Sequence, residues 1–384
     1  AANVAIGAPT AVTTDAEGRV YFSGQRVVFR LDFDGTLVRI AGTGKPGLAG
    51  DGGPAVDAQL SFPVPTPKQA LEDYPWLPGG LAVDTVGNHY IADGYNNRIR
   101  RVDAHGDIAT IAGEGSAAVG IALPGPNVDA RFYWPQGIAV GADRSLYVST
   151  WHGTMTRIAA DGAIAVLAWE SCDDVYDKPW ECPASQPAVD ATHVVYFGDG
   201  YCRVRAIDAA GRVATVVGDE SSIYYRSGCG YRGEGTPAGA TAIGFVTSVA
   251  VDRRGSLHFA DAYNHCVRKV DEAGEVHTVA GKCTMRGYAG DGGSATEALL
   301  DWPTGIAIDR RGNLYIADTY NARIRKVDRR GIITGPGYFQ NDDCARRQPF
   351  DTADYPALGI PTVGRQHHPP VRIGRGFKAE GRPR

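Results

Sequence analysis

Short runs of aliphatic and β-branched residues recur along the chain, and Gly, Asn or Asp separates one run from the next. The clearest example is the stretch 302–328, which contains such runs at 305–309, 314–318 and 323–328. Apolar runs of about five residues between turn-forming residues are typical of short β-strands. The pattern therefore predicts three consecutive strands joined by tight turns.

This three-strand pattern occurs six times, and a fourth apolar run follows most copies. The residue after the third strand marks each copy, and the six markers are Asp32, Asp103, Ala159, Asp208, Asp271 and Asp328. The intervals between them, 71, 56, 49, 63 and 57 residues, indicate a fixed unit with connections of variable length. We therefore predict an all-β fold, a six-bladed β-propeller of four-stranded antiparallel blades.

The repeats divide the chain into two regions. Residues 1–334 are predicted to form the propeller, and because the sixth copy has a poor fourth strand, we expect residues 3–6 to complete its blade. Residues 335–384 have no repeat and are predicted to form an irregular C-terminal extension rich in Pro, Gly and Arg. From Cys344 onward the net charge is +5, which leaves −9 for the rest of the chain. We expect the basic extension to dock on the acidic body or on a partner.

The composition suits a protein of many short strands and tight turns. Of 384 residues, 43% are hydrophobic, 50 are Gly and 23 are Pro. No apolar run approaches the length of a membrane-spanning helix, so we predict no membrane span. The acidic body lacks the clustered basic face that phosphate binding requires, so we predict no nucleic-acid partner.

Residues 80–84 and 92–103, with the parallel segments that end at Asp271 and Asp328, resemble the NHL repeat. The Gly-Asp-Gly-Gly connections at 50–53 and 290–293 resemble those of NHL arrays in bacterial extracytoplasmic proteins and of the teneurin type. The resemblance covers residues 7–334, and it implies a secreted, periplasmic or cell-surface protein. The residues of these connections indicate tight glycine turns. They lack the Lys-Ser/Thr of a phosphate-binding loop and the spaced carboxylates of a calcium-binding loop.

The long insertions of the predicted propeller all lie on one of its two faces. In a four-stranded blade, the connection between strands two and three and the connection between blades leave on the same side, which we call the loop face. The turns on the other side, the turn face, are short. The long insertions of this chain all belong to the loop face, at 45–78, 114–134, 169–187, 220–246 and 281–302. Binding sites concentrate on loops carried by rigid scaffolds, so the site is predicted there.

An aromatic residue follows strand two in copies two to six, and two copies also carry a histidine there. The candidate binding residues are Tyr95, Asn96, Trp151, His152, Tyr201, Tyr263, His265 and Tyr320. The aromatic rings would surround the mouth of the propeller and stack on a sugar, a base or a peptide side chain. Packing against the inter-blade loops is the alternative. The two histidines fall short of the three convergent ligands that the zinc site of NHL-like peptide-amidating lyases would need.

Four blades end strand two with a carboxylate, and these candidate channel carboxylates are Asp93, Asp199, Asp261 and Asp318. Three blades continue with Arg98, Arg203 and Arg323, so a structural ion pair between adjacent blades is expected because it recurs with the repeat. The alternative is a metal site or an acid–base set, which requires unpaired carboxylates that converge. Calcium or zinc would then be the cofactor; otherwise no cofactor and no metal are predicted.

Seven cysteines leave one without a partner whatever pairs form, and none stands in a Cys-x-x-Cys arrangement. Cys172 and Cys182 share one loop. Cys202 and Cys266 follow strand two in neighbouring copies, while Cys229 and Cys283 lie in the inter-blade loops that leave those copies. We therefore predict the disulfides Cys172–Cys182, Cys202–Cys229 and Cys266–Cys283, with Cys344 free. Seven reduced thiols in a cytosolic protein are the alternative.

These observations predict a secreted or extracytoplasmic binding module. Its partner would be a protein, a peptide or a glycan held on the loop face. The alternative is an enzyme, a metal-dependent lyase or hydrolase with its site at the mouth of the central channel. The sequence shows no Gly-x-Ser-x-Gly or His-Glu-x-x-His motif that would favour the enzyme.

Overall fold

A computed structural model describes residues 6–64, 79–113, 132–169, 184–200, 202–219 and 229–335. These residues form six antiparallel sheets, each built from one sequence repeat. The predicted six-bladed β-propeller is confirmed. Among the described residues no helix is long and apolar enough to span a membrane.

The first three blades contain strands β1 to β13. Blade 1 consists of β1 (Pro9–Thr14), β2 (Val20–Gly24), β3 (Val27–Leu31) and β4 (Leu37–Ala41). Blade 2 consists of β5 (Gly53–Pro54), β6 (Leu81–Val83), β7 (His89–Asp93), β8 (Arg98–Val102) and β9 (Asp107–Ala112). Blade 3 consists of β10 (Pro135–Val140), β11 (Leu146–Thr150), β12 (Thr154–Ile158) and β13 (Ile164–Trp169).

The last three blades contain strands β14 to β26. Blade 4 consists of β14 (Ala188–Val189), β15 (Val195–Gly198), β16 (Val204–Ile207) and β17 (Val213–Val217). Blade 5 consists of β18 (Thr236–Pro237), β19 (Val246–Val251), β20 (Leu257–Asp261), β21 (Cys266–Val270) and β22 (Glu275–Ala280). Blade 6 consists of β23 (Pro303–Ile308), β24 (Leu314–Asp318), β25 (Arg323–Val327) and β26 (Ile333–Thr334).

Short 3-10 helices lie in the loop-face connections. They span Ala55–Asp57, Gly94–Asn96, Ala238–Ala240, Ala262–Asn264, Ala295–Glu297 and Thr319–Asn321. On the turn face, a side chain fixes the first turn of a blade. In blade 6, Asp309 Oδ1 accepts hydrogen bonds from the backbone N–H groups of Arg311 (2.9 Å) and Asn313 (2.8 Å). Gly312 completes this turn at φ +80°, a conformation that favours glycine.

The hydrophobic core lies between blades. Each of six buried clusters combines side chains of two neighbouring blades, for example Phe259 of blade 5 with Val204 of blade 4. Since a blade buries little by itself, its faces are covered only when the circle of blades is complete. The closed circle of blades, rather than the single repeat, is therefore the unit of cooperative stability.

Blades 6 and 1 close the circle through the same kind of interface. Val12 and Phe22 of blade 1 pack with Ile324 of blade 6. Thr304 Oγ1 donates to the Thr10 carbonyl at 2.7 Å, and Thr319 Oγ1 donates to the Pro9 carbonyl at 2.8 Å. The fourth strand of blade 6 is β26. The expected contribution of residues 3–6 stays a prediction, because residues 3–5 lie outside the described part.

The first strands of neighbouring blades approach closely around the axis. A Cβ atom added to Gly305 would lie 2.9 Å from the Thr10 carbonyl oxygen and 3.0 Å from the Val12 backbone nitrogen. Gly80 and Gly137 occupy the equivalent positions in blades 2 and 3, and an added Cβ on either would lie 2.7 Å from a backbone atom of the next blade. The first strands of the blades, which we call the inner strands, therefore leave no room for a side chain at these glycine positions.

Candidate functional site

Two tryptophans mark the points where the chain enters blades 3 and 6 on the loop face. We call Trp134 and Trp302 the junction tryptophans; both have left-handed backbones, at φ +45° and +55°. The backbone N–H of Trp134 donates to Asn97 Oδ1 at 3.0 Å, and that of Trp302 donates to His265 Nδ1 at 3.1 Å. Each junction tryptophan is thus fixed by the residue that ends a 3-10 helix of the preceding blade.

The blade 2–3 cluster consists of Tyr95, Tyr133, Trp134, Trp151 and His152. Trp134 stands between Tyr95, at 5.4 Å between ring centroids, and Trp151, at 5.7 Å. Tyr133 stacks on Trp134 and meets the edge of His152 at 4.1 Å. Burial lowers the pKa of His152 and raises the pKa of Tyr95 to about 12, so both side chains are uncharged at neutral pH.

The blade 5–6 cluster repeats this arrangement with Tyr263, His265, Trp302 and Tyr320. Trp302 stands between Tyr263 and Tyr320, each at 6.3 Å between centroids. Burial, assisted by the charge of Arg286, lowers the pKa of His265 to about 4. A neutral His265 is required for Nδ1 to accept the hydrogen bond from Trp302.

The structure therefore brings the predicted aromatic residues together through partners that the repeat alignment missed. Tyr95 and Trp151 meet through Trp134, and Tyr263 and Tyr320 meet through Trp302. The usable signal was the aromatic–proline pair that starts β10 and β23. The predicted Tyr201 lies outside the described residues.

The side chain of Asn96 makes hydrogen bonds within the protein. Its Nδ2 donates to the Gly47 carbonyl at 2.6 Å and to Asp93 Oδ2 at 2.8 Å. Asn264 and Asn321 make the same pair of bonds in blades 5 and 6. The amide of Asn96 therefore ties the inter-blade connection to the blade, and its role in binding stays a prediction.

The candidate channel carboxylates are closed off from solvent. Asp93, Asp261 and Asp318 have no exposed surface. Each accepts a backbone hydrogen bond from the inter-blade connection that leads into its own blade, from Ser61 (2.6 Å), Gly244 (2.8 Å) and Asp301 (2.7 Å) respectively. Burial raises the pKa of each carboxyl above its ordinary value.

The fourth carboxylate, Asp199, pairs within its own blade. Its Oδ2 lies 2.7 Å from Arg203 Nε. All four candidate channel carboxylates are thus buried, and each has a charged partner, which agrees with the structural ion pair expected from the repeat.

Asp93, Asp261 and Asp318 are held by three buried arginines that the sequence analysis did not name, whereas the named Arg203 does pair with Asp199. Arg325 Nη1 lies 3.3 Å from Asp318 Oδ2, and its Nη2 donates to Asp291 Oδ1 at 2.8 Å. Arg100 bridges Asp93 and Asp51 in blade 2 in the same way. Arg268 bridges Asp261 and Glu234 in blade 5.

The Gly-Asp-Gly-Gly connections thus have a physical explanation. Asp51 and Asp291 supply the outer carboxylate for a buried arginine, and the glycines allow the turn to pass close to the blade edge. The Asp–Arg pair joins each connection to its own blade rather than two adjacent blades. The partner is the arginine two residues further along β8 or β25 than expected, and its side chain is fully buried, whereas Arg98 and Arg323 at the start of these strands are half-buried.

The structure forms two of the predicted disulfides. Cys202–Cys229 and Cys266–Cys283 have Cα–Cα distances of 5.5 and 5.0 Å. Each bridge ties an inter-blade connection to the blade it leaves, across 27 and 17 residues. The predicted Cys172–Cys182 pair and Cys344 lie outside the described residues, as does the docking expected of the basic extension.

Alkylation under denaturing conditions checks the two bridges. Without reductant, we expect iodoacetamide to leave Cys202, Cys229, Cys266 and Cys283 unmodified, because a disulfide sulfur is not a nucleophile. After reduction all four should react. Peptide mapping by mass spectrometry reads the result, and carbamidomethylated Cys266 or Cys202 in the unreduced sample would contradict the bridges.

Within the described residues, one set of three side chains could hold a metal ion. Asp271, Glu275 and His277 place ligand atoms within 4.8 Å of one another on the turn face of blade 5. His277 Nε2 already lies 3.2 Å from Asp271 Oδ2. The set includes neither His152 nor His265, so it is separate from the predicted site, and a half-exposed acidic group of this kind does not by itself define a metal centre.

Comparisons with known proteins agree with this architecture. A family model described as the Teneurin NHL domain matches residues 282–353. Human Teneurin-4 is 25% identical over 82% of this chain and 10% of that protein, and Danio rerio Teneurin-3 is 28% identical over 75% and 9%. The chain is a six-bladed β-propeller, and its sequence is similar to the NHL domains of teneurins. It spans about a tenth of the length of these relatives.

A solved structure shows the same fold. A structural-genomics protein of unknown function from Bacteroides thetaiotaomicron superposes with a TM-score of 0.59 over 85% of this chain and 70% of that chain, at 14% identity. At this identity the likeness concerns the fold alone, and function has to be argued from the loop face.

Proposed function

We propose that this propeller is an interaction module that works outside the cytoplasm and binds a protein or peptide partner through its loop face. The coarse part of this proposal, an NHL propeller of the teneurin type, follows from the fold and the relatives. The partner class and the location are the proposed part. Disulfides persist in oxidising compartments, so the two bridges support a secreted or cell-surface protein, with the periplasm as a further possibility.

The distribution of exposed hydrophobic side chains carries the proposal. Seven large hydrophobic residues are exposed in the described part of the chain. Five of them lie in loop-face connections, namely Leu48, Tyr231, Tyr263, Met285 and Tyr288. The other two, Phe33 and Val86, belong to the turn face. Hydrophobic side chains grouped on one face are typical of protein-binding surfaces.

The chemistry of these residues favours a protein over a glycan. The stacked clusters around Trp134 and Trp302 would suit the face of a sugar ring as well. Leu48 and Met285, however, are exposed aliphatic side chains, and Met adapts to irregular apolar surfaces on a protein partner. A glycan is therefore the second ligand class, and a glycan array tests it in parallel.

A triple variant on the loop face tests the function. We expect a random-peptide phage library to enrich ligands on the wild-type protein, and the variant Leu48→Ser/Tyr263→Ser/Met285→Ser to bind those peptides at least about tenfold more weakly, because apolar contacts at the centre of an interface dominate affinity. Titration of synthetic peptides by fluorescence anisotropy measures the loss.

The matched control removes exposed hydrophobic residues from the turn face. Phe33→Ser/Val86→Ser should retain wild-type affinity, and both variants should keep the wild-type urea midpoint. Peptides that bind the triple variant normally but lose affinity for the control would refute the proposal. If glycans bind on the array and the phage library yields no peptide, the ligand of the loop face is a glycan rather than a protein or peptide.

A further inference from the structure

We propose that a patch of exposed arginines on the turn face of blades 5 and 6 binds an acidic polysaccharide, a linear polymer that carries carboxylate or sulfate groups. We call this surface the arginine patch, and its six residues are Arg253, Arg254, Arg310, Arg311, Arg329 and Arg330. It lies on the face opposite the protein-binding surface proposed above. It therefore adds a second binding surface, and it does not depend on the ligand of the loop face.

The arginine patch arises from one sequence motif that recurs in three turns. Asp-Arg-Arg-Gly occurs at 252–255, 309–312 and 328–331. The first two copies join strands one and two of blades 5 and 6, and the third joins strands three and four of blade 6. All three turns belong to the turn face, so the motif gathers its six arginines in one sector of that face.

The aspartate and the glycine of the motif form the turn. In blade 5, Asp252 Oδ1 accepts hydrogen bonds from the backbone N–H groups of Arg254 (2.8 Å) and Ser256 (3.0 Å). Gly255 follows at φ +84°, in the region that favours glycine. The side chains of the two residues between the aspartate and the glycine are exposed, so they are free to serve another purpose.

The other turns of this form contain no arginine at the two middle positions. Six further Asp-x-x-Gly turns are present, at 15–18, 32–35, 84–87, 103–106, 208–211 and 271–274. Their middle residues vary from Ala and Thr to Phe and Glu, and the glycine of each turn has a positive φ. The turn therefore forms without arginine, and the fold of the blade does not account for the three arginine pairs.

The three turns form one continuous surface. Arg253 Nη1 donates to the Arg310 carbonyl at 3.3 Å, which joins the turns of blades 5 and 6. A Cβ atom added to Gly312 would lie 3.8 Å from Arg329 Cγ, so the two turns of blade 6 lie side by side. At the border with blade 1, the guanidinium carbon of Arg311 lies 5.8 Å from the centroid of the exposed Phe33 ring.

Most of the arginine patch has no opposite charge beside it. Within the described residues, only Arg330 of the six forms an ion pair, with Asp328 at 2.8 Å. Asp309 is 4% exposed, and its Oδ2 accepts hydrogen bonds from Asn313 Nδ2 and the Tyr315 hydroxyl instead. Guanidinium groups keep their charge throughout the physiological pH range, and like charges side by side repel one another. A polyanion bound across the patch would remove this repulsion.

The charges around the arginine patch favour a linear partner over a planar one. Exposed carboxylates lie on other turns of the same face, for example Glu17, Asp34 and Glu272. An anionic membrane pressed against this face would also meet these carboxylates and be repelled by them. A single polymer chain, in contrast, can lie along the three arginine pairs and avoid them.

The chemistry of the surface favours a polysaccharide over a protein. Protein interfaces have a core depleted of charged residues, whereas the arginine patch offers only Phe33, at its border. Exposed guanidinium groups bind oxyanions such as carboxylate and sulfate through paired hydrogen bonds. The location proposed above, outside the cytoplasm, favours a polysaccharide over a nucleic acid as the source of these anions.

Isothermal titration calorimetry with defined oligosaccharides tests the proposal. The probes are a heparin dodecasaccharide, which carries sulfate and carboxylate groups, a dodecagalacturonate, which carries carboxylates alone, and a neutral maltodextrin. We expect the acidic probes to bind the wild-type protein, heparin more tightly because it has more charges per sugar, and the maltodextrin not to bind. The affinity should fall as the salt concentration rises, because salt screens exposed charges.

A patch variant locates the binding. It carries Arg253→Gln, Arg254→Gln, Arg310→Gln and Arg311→Gln. We expect it to bind heparin at least about tenfold more weakly than the wild type, because several charge-assisted contacts are lost together. It should keep the wild-type urea midpoint, since exposed charges contribute little to stability. It should also keep the wild-type affinity for peptides of the loop face.

The matched control removes the same number of charges from the loop face. It carries Lys45→Gln, Arg232→Gln, Lys282→Gln and Arg286→Gln, and all four side chains are exposed. Because its net charge equals that of the patch variant, it separates a local site from a general effect of charge. We expect this control to bind heparin with the wild-type affinity.

Equal heparin affinities of the patch variant and the wild type would overturn the inference, because the binding would then belong to another surface such as the basic extension. Equal weakening in both variants, or no binding of heparin to the wild type, would do the same. Tighter patch-dependent binding of a DNA duplex or of phosphatidylglycerol vesicles would assign the patch to another polyanion and reject the polysaccharide. Signals on a glycan array that the patch variant loses belong to this surface and not to the loop face.

Discussion

Arg325→Met is expected to destabilise the propeller by about 3–5 kcal/mol, the range for removing one partner of a buried ion pair. Arg325 has no exposed side-chain surface and lies between Asp318 and Asp291. Its guanidinium also donates to the carbonyls of Leu299 and Ala289, each at 3.3 Å. Methionine fills most of the volume but leaves these acceptors unpaired, so the midpoint of urea unfolding should fall sharply.

The pH dependence of this variant has a defined sign. In the wild type, burial raises the pKa of Asp318 to about 7, while Arg325 opposes that shift. Without Arg325 the pKa rises further, and a carboxyl whose folded pKa exceeds its unfolded pKa stabilises the protein as the pH falls. The stability deficit of Arg325→Met should therefore be largest near about pH 8 and smaller near about pH 5.

Arg330→Met is the matched control. Arg330 also pairs with an aspartate, Asp328 at 2.8 Å, but its side chain is 83% exposed. Exposed pairs contribute little to stability, so the control should unfold with the wild-type midpoint at both pH values. Equal midpoints for the two variants would contradict the structural role of the buried arginines.

Gly305→Val is expected to destabilise the propeller on the order of 3 kcal/mol, at the upper end of the effects of overpacking. The added Cβ would meet the Thr10 carbonyl oxygen at 2.9 Å and the Val12 backbone nitrogen at 3.0 Å. Both belong to blade 1, so the substitution pushes apart the two blades that close the circle. Thermal and urea unfolding measure the effect.

The control for this substitution is Gly239→Val. Gly239 lies in a 3-10 helix, and an added Cβ meets nothing within 4 Å. Its substitution should change the free energy of unfolding by less than about 0.5 kcal/mol. If Gly305→Val were equally neutral, the close approach of the inner strands would not be a feature of the protein in solution.

The blades could be predicted from the sequence because each is a local pattern. A run such as 314–318 between Gly312 and Asn321 specifies its strand through residues that are neighbours in the chain. The two described disulfides followed for the same reason, since the repeat placed Cys266 and Cys283 in connections of the same blade.

Contacts between distant segments could not be read in the same way. Arg325 meets Asp291 across 34 residues, and Arg323, two positions earlier in β25, has the same sequence signal. The junction tryptophans stand just before a blade, outside the aligned positions, so their place between two aromatic residues emerged only from the packing of neighbouring blades.

Photo-crosslinking tests most directly whether the loop face is the binding face. A peptide enriched from the random library, carrying a benzophenone, is irradiated with the propeller protein, and the modified residues are mapped by mass spectrometry. We expect crosslinks within the loop-face connections, at residues 42–52, 94–97, 132–136, 229–235, 262–265 and 281–302. Crosslinks concentrated in the turn-face segments 32–36, 84–88 and 309–313 would contradict it.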